Sequence, residues 1–265
     1  MKQLGDILSS MKVGILQLNV NEEKESNLRK VSEIAEEKVE DDLDVLILPE
    51  LWSTDVDFSD FDKLKEEIPG KTTDMLSSIA ESMDLYVIGG SIVESKNASL
   101  YNSCVVFDRD GEIRDIYRKM HLFSHFGEDE VLSPGDDLSI FKLGSIKAAV
   151  GICYDLRFPL FFDKLIKRGV KLIFLPAAWP EARKYHWRVL NRSRAIENQV
   201  YFISCNRVGF FEGKRFFGKS MVVDPWGRVE EIGAEKEQFL TTEIDLGLVD
   251  EVRKEFNTIK DSKLG

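Results

Sequence analysis

The chain has 265 residues, 43% of them hydrophobic and 31% charged, which is enough for one large domain or two small ones with an ample core. Its formal net charge of −11 argues against a nucleic-acid or anionic-membrane partner, both of which require clustered Lys and Arg. Three cysteines, none in CxxC or metal-ligand spacing, suggest a reducing compartment, with the cytoplasm as default, rather than a disulfide framework. No run approaches the roughly 18 apolar residues of a membrane span.

The start, MKQLGDILSS, has neither a basic n-region nor a sustained apolar stretch, so it does not read as a secretory signal. Residues 1–10 are expected to be an N-terminal extension, with a single domain over 11–265. Lys12 to Val20 alternates and reads as a strand. The segment from Asn21 to Asp42 places Leu28, Val31, Ile34, Ala35 and Val39 on one face and charge elsewhere, an amphipathic surface helix. Asp44 to Leu48 is a short, nearly all-apolar strand, the pattern of a strand covered on both faces. A helix over Thr72 to Met83, a strand over Leu85 to Gly89 and another over Tyr101 to Phe107 follow. Asp108-Arg109-Asp110-Gly111 then turns the chain into Glu112 to Arg118, a hairpin. Paired strands are expected at Ile140 to Leu143 and Ile146 to Ile152.

The second half repeats this logic. A helix over Phe161 to Arg168 leads to a strand over Lys171 to Leu175, a helix over His186 to Asn198 and a strand over Val200 to Asn206. Asp224 to Gly227 is a turn between strands, and Leu248 to Phe256 a last helix. Alternating β and α with interspersed hairpins implies an α/β fold: a mixed sheet covered by helices, or two such sheets stacked.

Three residues stand at the ends of predicted strands and together suggest chemistry: Glu50 closing VLILPE, Lys119 in YRKMHLF, and Cys153 opening CYDLRFP. Polar side chains at adjacent strand ends converge where open α/β sheets bind ligands. At Cys153 a buried strand is expected to give way directly to a helix, whose free N–H groups would favour thiolate over thiol. Splitting a carbon–nitrogen bond uses all three residue types. Cys153 would attack the carbonyl carbon, and Glu50 would take and return the proton. Lys119 would face the oxyanion, helped by the Tyr154 N–H.

The segments LILPE, YRKMHLF and GICYDLRFP, in this order and at these separations, resemble the nitrilase, or carbon–nitrogen hydrolase, superfamily from about Met11 to Val252. The resemblance implies a four-layer α/β/β/α sandwich, a Glu50-Lys119-Cys153 triad and no metal or organic cofactor. It also implies a homodimer or higher even homo-oligomer, and a second glutamate that braces the lysine. The matching position for that glutamate is Glu128 in HLFSHFGEDE, with Asp129 and Glu130 adjoining it. Within the superfamily, LPAAWPEARKYHWRVLNRSRAIENQ followed by SCNRVG looks most like the bacterial omega-amidases. These hydrolyse the terminal amide of 2-oxoglutaramate or 2-oxosuccinamate. Hydrolases of deaminated glutathione or of an N-carbamoyl compound are the neighbouring alternatives, and a non-catalytic thiol-sensing or binding protein on the same fold is a third.

An omega-amidase has to hold a 2-oxo acid end, which suits the forked guanidinium of an arginine. Arg183 and then Arg207 are the candidates, and Tyr154, Trp179 and Arg183 the expected substrate-binding residues. Cys104 and Cys205 read as small buried hydrophobes. His121, His125 and His186 match no metal-ligand spacing, and His121 reads as structural. Asp155, Arg157 and Glu197 read as ion pairs around the nucleophile turn.

Overall fold

The computed structural model describes residues 10–21 and 23–263. In chain order its regular elements are β1 (Ser10–Gln17), α1 (Lys24–Lys38), β2 (Val45–Ile47), α2 (Phe61–Leu64), α3 (Lys71–Ser82), β3 (Tyr86–Ile88), β4 (Ile92–Lys96), β5 (Ser99–Phe107) and β6 (Ile113–Arg118). There follow α4 (Glu128–Val131), β7 (Ser139–Leu143), β8 (Ile146–Val150), α5 (Pro159–Ile166), β9 (Leu172–Ala177), α6 (Lys184–Asn198) and β10 (Tyr201–Asn206). The chain closes with β11 (Val208–Phe211), β12 (Lys214–Phe217), β13 (Met221–Val223), β14 (Val229–Ile232), β15 (Gln238–Asp245), α7 (Leu248–Glu255) and α8 (Thr258–Asp261).

Two mixed sheets form, one of seven strands in the order β15-β1-β2-β3-β5-β4 with β6 also paired to β5, the other of six in the order β14-β13-β10-β9-β8-β7. Alternation decides how they stack. Met11, Val13, Ile15, Cys104 and Val106 point from the first sheet into a shared core with Val150, Ile173, Leu175, Ile203 and Cys205 of the second. Leu16, Leu46 and Val87 face the other way, onto Leu28, Val31, Ala35, Leu76 and Ile79 of α1 and α3. Phe161, Phe162, Leu165, Trp187 and Ala195 of α5 and α6 cover the outer side of the second sheet. The layers therefore run helix, sheet, sheet, helix: the four-layer α/β/β/α sandwich. The all-apolar β2 is buried on both faces because it lies between these layers.

The hairpin of β5 and β6 forms as the sequence indicates, its turn held by Asp108 Oδ1, which accepts from the N–H groups of Asp110 and Glu112 at 3.0 and 2.9 Å. Several expectations are corrected. The first strand begins at Ser10, paired with Asp245, and ends at Gln17, whose side chain leaves to bind Ser220 and Ala234. The expected extension otherwise lies outside the described residues. Cys153 is followed not by an α-helix but by a five-residue 3-10 turn, Cys153–Arg157, and α5 starts only at Pro159. The strands β4, β11, β12 and β15 are additional to those expected. No helix among the described residues is long and apolar enough to cross a membrane.

Candidate active site

Elements distant in sequence end at one place. The chain leaves β2 through Leu48-Pro49-Glu50, and the Glu50 N–H reaches the Ala177 carbonyl at the end of β9. Lys119 is the residue after β6, and its N–H donates to the Asn102 carbonyl of β5 at 2.8 Å. Cys153 sits three residues past β8 with φ +43, a left-handed conformation rare for a residue with a Cβ, which turns the sulfur out of the strand direction. Glu128 opens α4, directly after Gly127 at φ +78. All four side chains are buried and line one pocket.

The polar groups on the pocket floor are closely interlocked. Lys119 Nζ donates to Glu50 Oε1 at 2.8 Å and to both oxygens of Glu128 at 2.9 and 2.8 Å. Glu128 Oε2 also accepts from the Phe123 N–H at 2.6 Å. Glu50 Oε2 accepts from the Ala178 N–H at 2.8 Å. Burial works against the Lys119 charge, but Glu128 and Glu50 outweigh it and hold the ammonium protonated.

Cys153 departs from the sequence expectation. Burial pushes its thiol well above the ordinary cysteine range, and the neighbouring Glu50 carboxylate adds to the rise. Lys119 and the Ala178 N–H oppose this and do not overcome it. The resting sulfur is therefore a thiol beside a carboxylate. A five-residue 3-10 turn does not supply the dipole that the expected α-helix would. What the arrangement offers is a carboxylate next to a protonated thiol.

The pocket mouth is different. The half-buried Tyr154, Phe123 and Phe126 line it with two guanidiniums, Arg157 and Arg183, over the buried Trp179 and Phe216. Arg157 lies over the Trp179 ring at 4.6 Å and the Tyr154 ring at 5.7 Å, and Arg183 over Phe123 at 6.0 Å. Neither is in an ion pair with a carboxylate among the described residues. Each is half-buried. Burial lowers the affinity of Arg157 for its proton, and Arg183 nearby pushes the same way.

Tyr154, Trp179 and Arg183, the expected substrate-binding residues, line the same pocket as Glu50, Lys119 and Cys153. Arg207 does not. It is fully buried and grips Asp55 with both terminal nitrogens while lying 4.5 Å over the Phe216 ring, so it is already neutralised and ties the loop after Glu50 to the pocket wall. Arg157 is the reverse case: the expected ion pairing does not occur. Glu197 pairs with Arg194, and Asp155 accepts from Tyr117 Oη, the Ile152 N–H and His121, leaving Arg157 to face the pocket. His121, stacked on Phe158 with ring centroids 3.8 Å apart, is a structural partner of Asp155. Cys104 and Cys205 are buried in the inter-sheet core. Among the described residues no group of three or more His, Cys, Asp or Glu side chains is arranged to hold a metal ion.

Asn102, which sequence reasoning passed over, sits in the floor. It shares the inward face of β5 with Cys104 and Val106, and a lone amide at the end of an apolar face was the available signal.

The chain and its architecture match a known family. Residues 12–254 match the carbon–nitrogen hydrolase family. The chain is 36% identical over 249 residues to the 2-oxoglutaramate amidase of Bacillus subtilis, covering 94% of this chain and 96% of that one. It is 34% identical to mouse omega-amidase NIT2, over 97% and 96% of the two chains. The crystal structure of Saccharomyces cerevisiae Nit3, a member of branch 10 of the nitrilase superfamily, superposes with a TM-score of 0.87 at 29% identity, covering 97% of each chain. The chain belongs to the carbon–nitrogen hydrolase family.

Proposed function

We propose that this amidase hydrolyses the terminal amide of a short 2-oxo dicarboxylic acid monoamide, of the 2-oxoglutaramate or 2-oxosuccinamate type. The products are the 2-oxo dicarboxylate and ammonia. One observation carries the substrate class: Arg157 and Arg183 stand at the mouth of a largely aromatic pocket without a carboxylate partner among the described residues, while the groups at the floor are paired among themselves. A pocket with two half-buried cations above a thiol suits a substrate whose anionic end is held away from its amide. The names of the relatives from Bacillus subtilis and mouse support the same class.

In this mechanism the amide carbonyl sits over Cys153. Its sulfur attacks the carbonyl carbon as Glu50 takes the thiol proton, and the oxyanion lies against Lys119 Nζ and the Tyr154 N–H. The tetrahedral adduct collapses by breaking the carbon–nitrogen bond. Glu50 returns the proton to the departing nitrogen, which leaves as ammonia and a thioester remains. Water, deprotonated by Glu50, attacks the thioester carbon, and the sulfur leaves with that proton. One donor to the oxyanion contributes about 3–4 kcal/mol to such a transition state. Glu128 takes no proton in this scheme. Its carboxylate fixes Lys119.

The proposal extends to assembly and place. Leu160, Tyr185 and Val189 on α5 and α6 are exposed apolar side chains, which suits packing against a second copy in a homodimer. Sedimentation of a monomer at micromolar concentration would remove that part. Free cysteines suit the cytoplasm.

The substrate class is tested by ammonia release from 2-oxoglutaramate, succinamate and deaminated glutathione, with Cys153→Ala as control. Preference for 2-oxoglutaramate, lost in the variant, is the expected result. Turnover of deaminated glutathione or an N-carbamoyl compound alone would keep the chemistry and discard the substrate. Stoichiometric alkylation of Cys153 without turnover of any amide would favour a thiol-sensing role.

A further inference from the structure

We propose that Asn102 is a positioning residue of the amidase reaction: its side-chain amide bridges Glu50 and Glu128 and fixes the Glu50 carboxylate with Oε2 toward the thiol. The proposal rests on Glu50 serving as the base. Asn102 is fully buried, and Nδ2 lies 2.9 Å from Glu50 Oε1 and 2.9 Å from Glu128 Oε1. The NH2 group has two hydrogens, and each carboxylate receives one. The amide orientation is set by chemistry, because the opposite one would press the carbonyl oxygen between two carboxylates. Lys119 Nζ reaches the same two Oε1 atoms at 2.8 and 2.9 Å, so two carboxylates and two donors close a ring.

The charges explain why a neutral donor belongs there. Two carboxylates against one ammonium leave the floor one negative charge in excess, and a second cation would balance it only by competing with Lys119 for position. The amide adds two hydrogen bonds and no charge. Among the described residues its own oxygen, Oδ1, is buried without a hydrogen-bond partner. The division of Glu50 follows. Oε1 is occupied by Lys119 and Asn102, and Oε2, held by the Ala178 N–H, is the oxygen free to exchange a proton with sulfur. The other ionisable groups around Glu50 are Lys119, Glu128 and Cys153 at the floor, and Tyr154, Arg157 and Arg183 across the pocket.

The test uses Asn102→Leu, which keeps the shape and removes the donor, and Asn102→Ser, which leaves one O–H donor for two carboxylates. Both the pH dependence of kcat/KM and that of Cys153 alkylation by iodoacetamide are followed. A carboxylate that loses a hydrogen-bond donor favours its protonated form. Asn102→Leu is therefore expected to move the acid limb of both profiles up by about one pH unit. Its kcat should fall about 10- to 100-fold with KM little changed. Asn102→Ser should fall between it and the wild type, and answers the case in which the leucine variant does not fold. Acid limbs that stay in place with kcat near the wild-type value, whatever happens to Tm, would overturn the proposal. Profiles unaffected by Glu50→Gln would instead remove the base assignment beneath it, and the alkylation data make that failure visible without reference to any amide.

Discussion

The floor and the mouth of the pocket are both rich in ionisable groups, and they are built on opposite principles. At the floor, Glu50, Lys119, Glu128 and Asn102 consume one another's hydrogen-bonding capacity over distances of 2.8–2.9 Å. At the mouth, Arg157 and Arg183 rest on aromatic faces with no carboxylate against them among the described residues. A closed network keeps its geometry whether or not a ligand is present, which suits groups that must be in place when a transition state forms. Guanidiniums without a carboxylate partner gain their strongest contacts only when an anion arrives, which suits recognition. On the proposed mechanism, chemistry and selectivity fall to separate layers of one cavity.

That division can be broken most severely at the floor. Cys153→Ala should lower kcat by at least about 10⁴-fold in a single-turnover ammonia assay while leaving the fold intact. Glu50→Gln should stop both half-reactions, so that no acyl-enzyme accumulates in mass spectra of quenched samples. Lys119→Met removes the cation between two buried carboxylates. It is expected to cost about 10²–10³-fold in kcat and about 3–5 kcal/mol in stability by urea unfolding. Loss of activity without loss of stability would mean that the floor relaxes when its cation is removed, contrary to a rigid network.

A smaller effect sharpens the comparison between buried and open groups. Burial raises the thiols of Cys104, Cys153 and Cys205 above the ordinary range. A group whose pKa is raised by folding contributes stability below its unfolded value and loses it above, so each thiol weakens the fold as pH climbs past about 8.5. The slope is about 1.4 kcal/mol per pH unit for each thiol. Cys104→Ala should flatten the alkaline decline in unfolding free energy by about that slope, and an unchanged decline would show that the thiol ionises in place.

Much of this was legible in the chain, and the remainder was hidden for identifiable reasons. Glu50, Lys119 and Cys153 stand out locally as polar residues at the ends of predicted strands, and the structure brings them to one pocket; the periodicities of α1, β2 and the β5–β6 hairpin need only local information. The strand β15, QFLTTEID, was missed because its alternation is weak and its partner β1 lies more than two hundred residues earlier. The β11–β12 hairpin consists of strands only four residues long. The direction of Arg157 depends on whether Cys153 opens an α-helix or a 3-10 turn, because the two place the fifth residue on differently turned faces. The state of the Cys153 thiol depends on burial and on the Glu50 carboxylate, which is remote in sequence, and no local pattern around CYDLRFP encodes either.

The most direct test is at the mouth. For the wild type, Arg157→Met and Arg183→Met, kcat/KM would be measured on 2-oxoglutaramate and on a neutral aliphatic amide of the same length. Each charge-assisted contact is worth about 1.5–3 kcal/mol, so each variant should lose about 10- to 100-fold on the acid amide, mainly through KM, with the neutral amide nearly unaffected. Equal losses on both substrates would contradict the account, because the two guanidiniums would then shape the pocket rather than read the anionic end of its substrate.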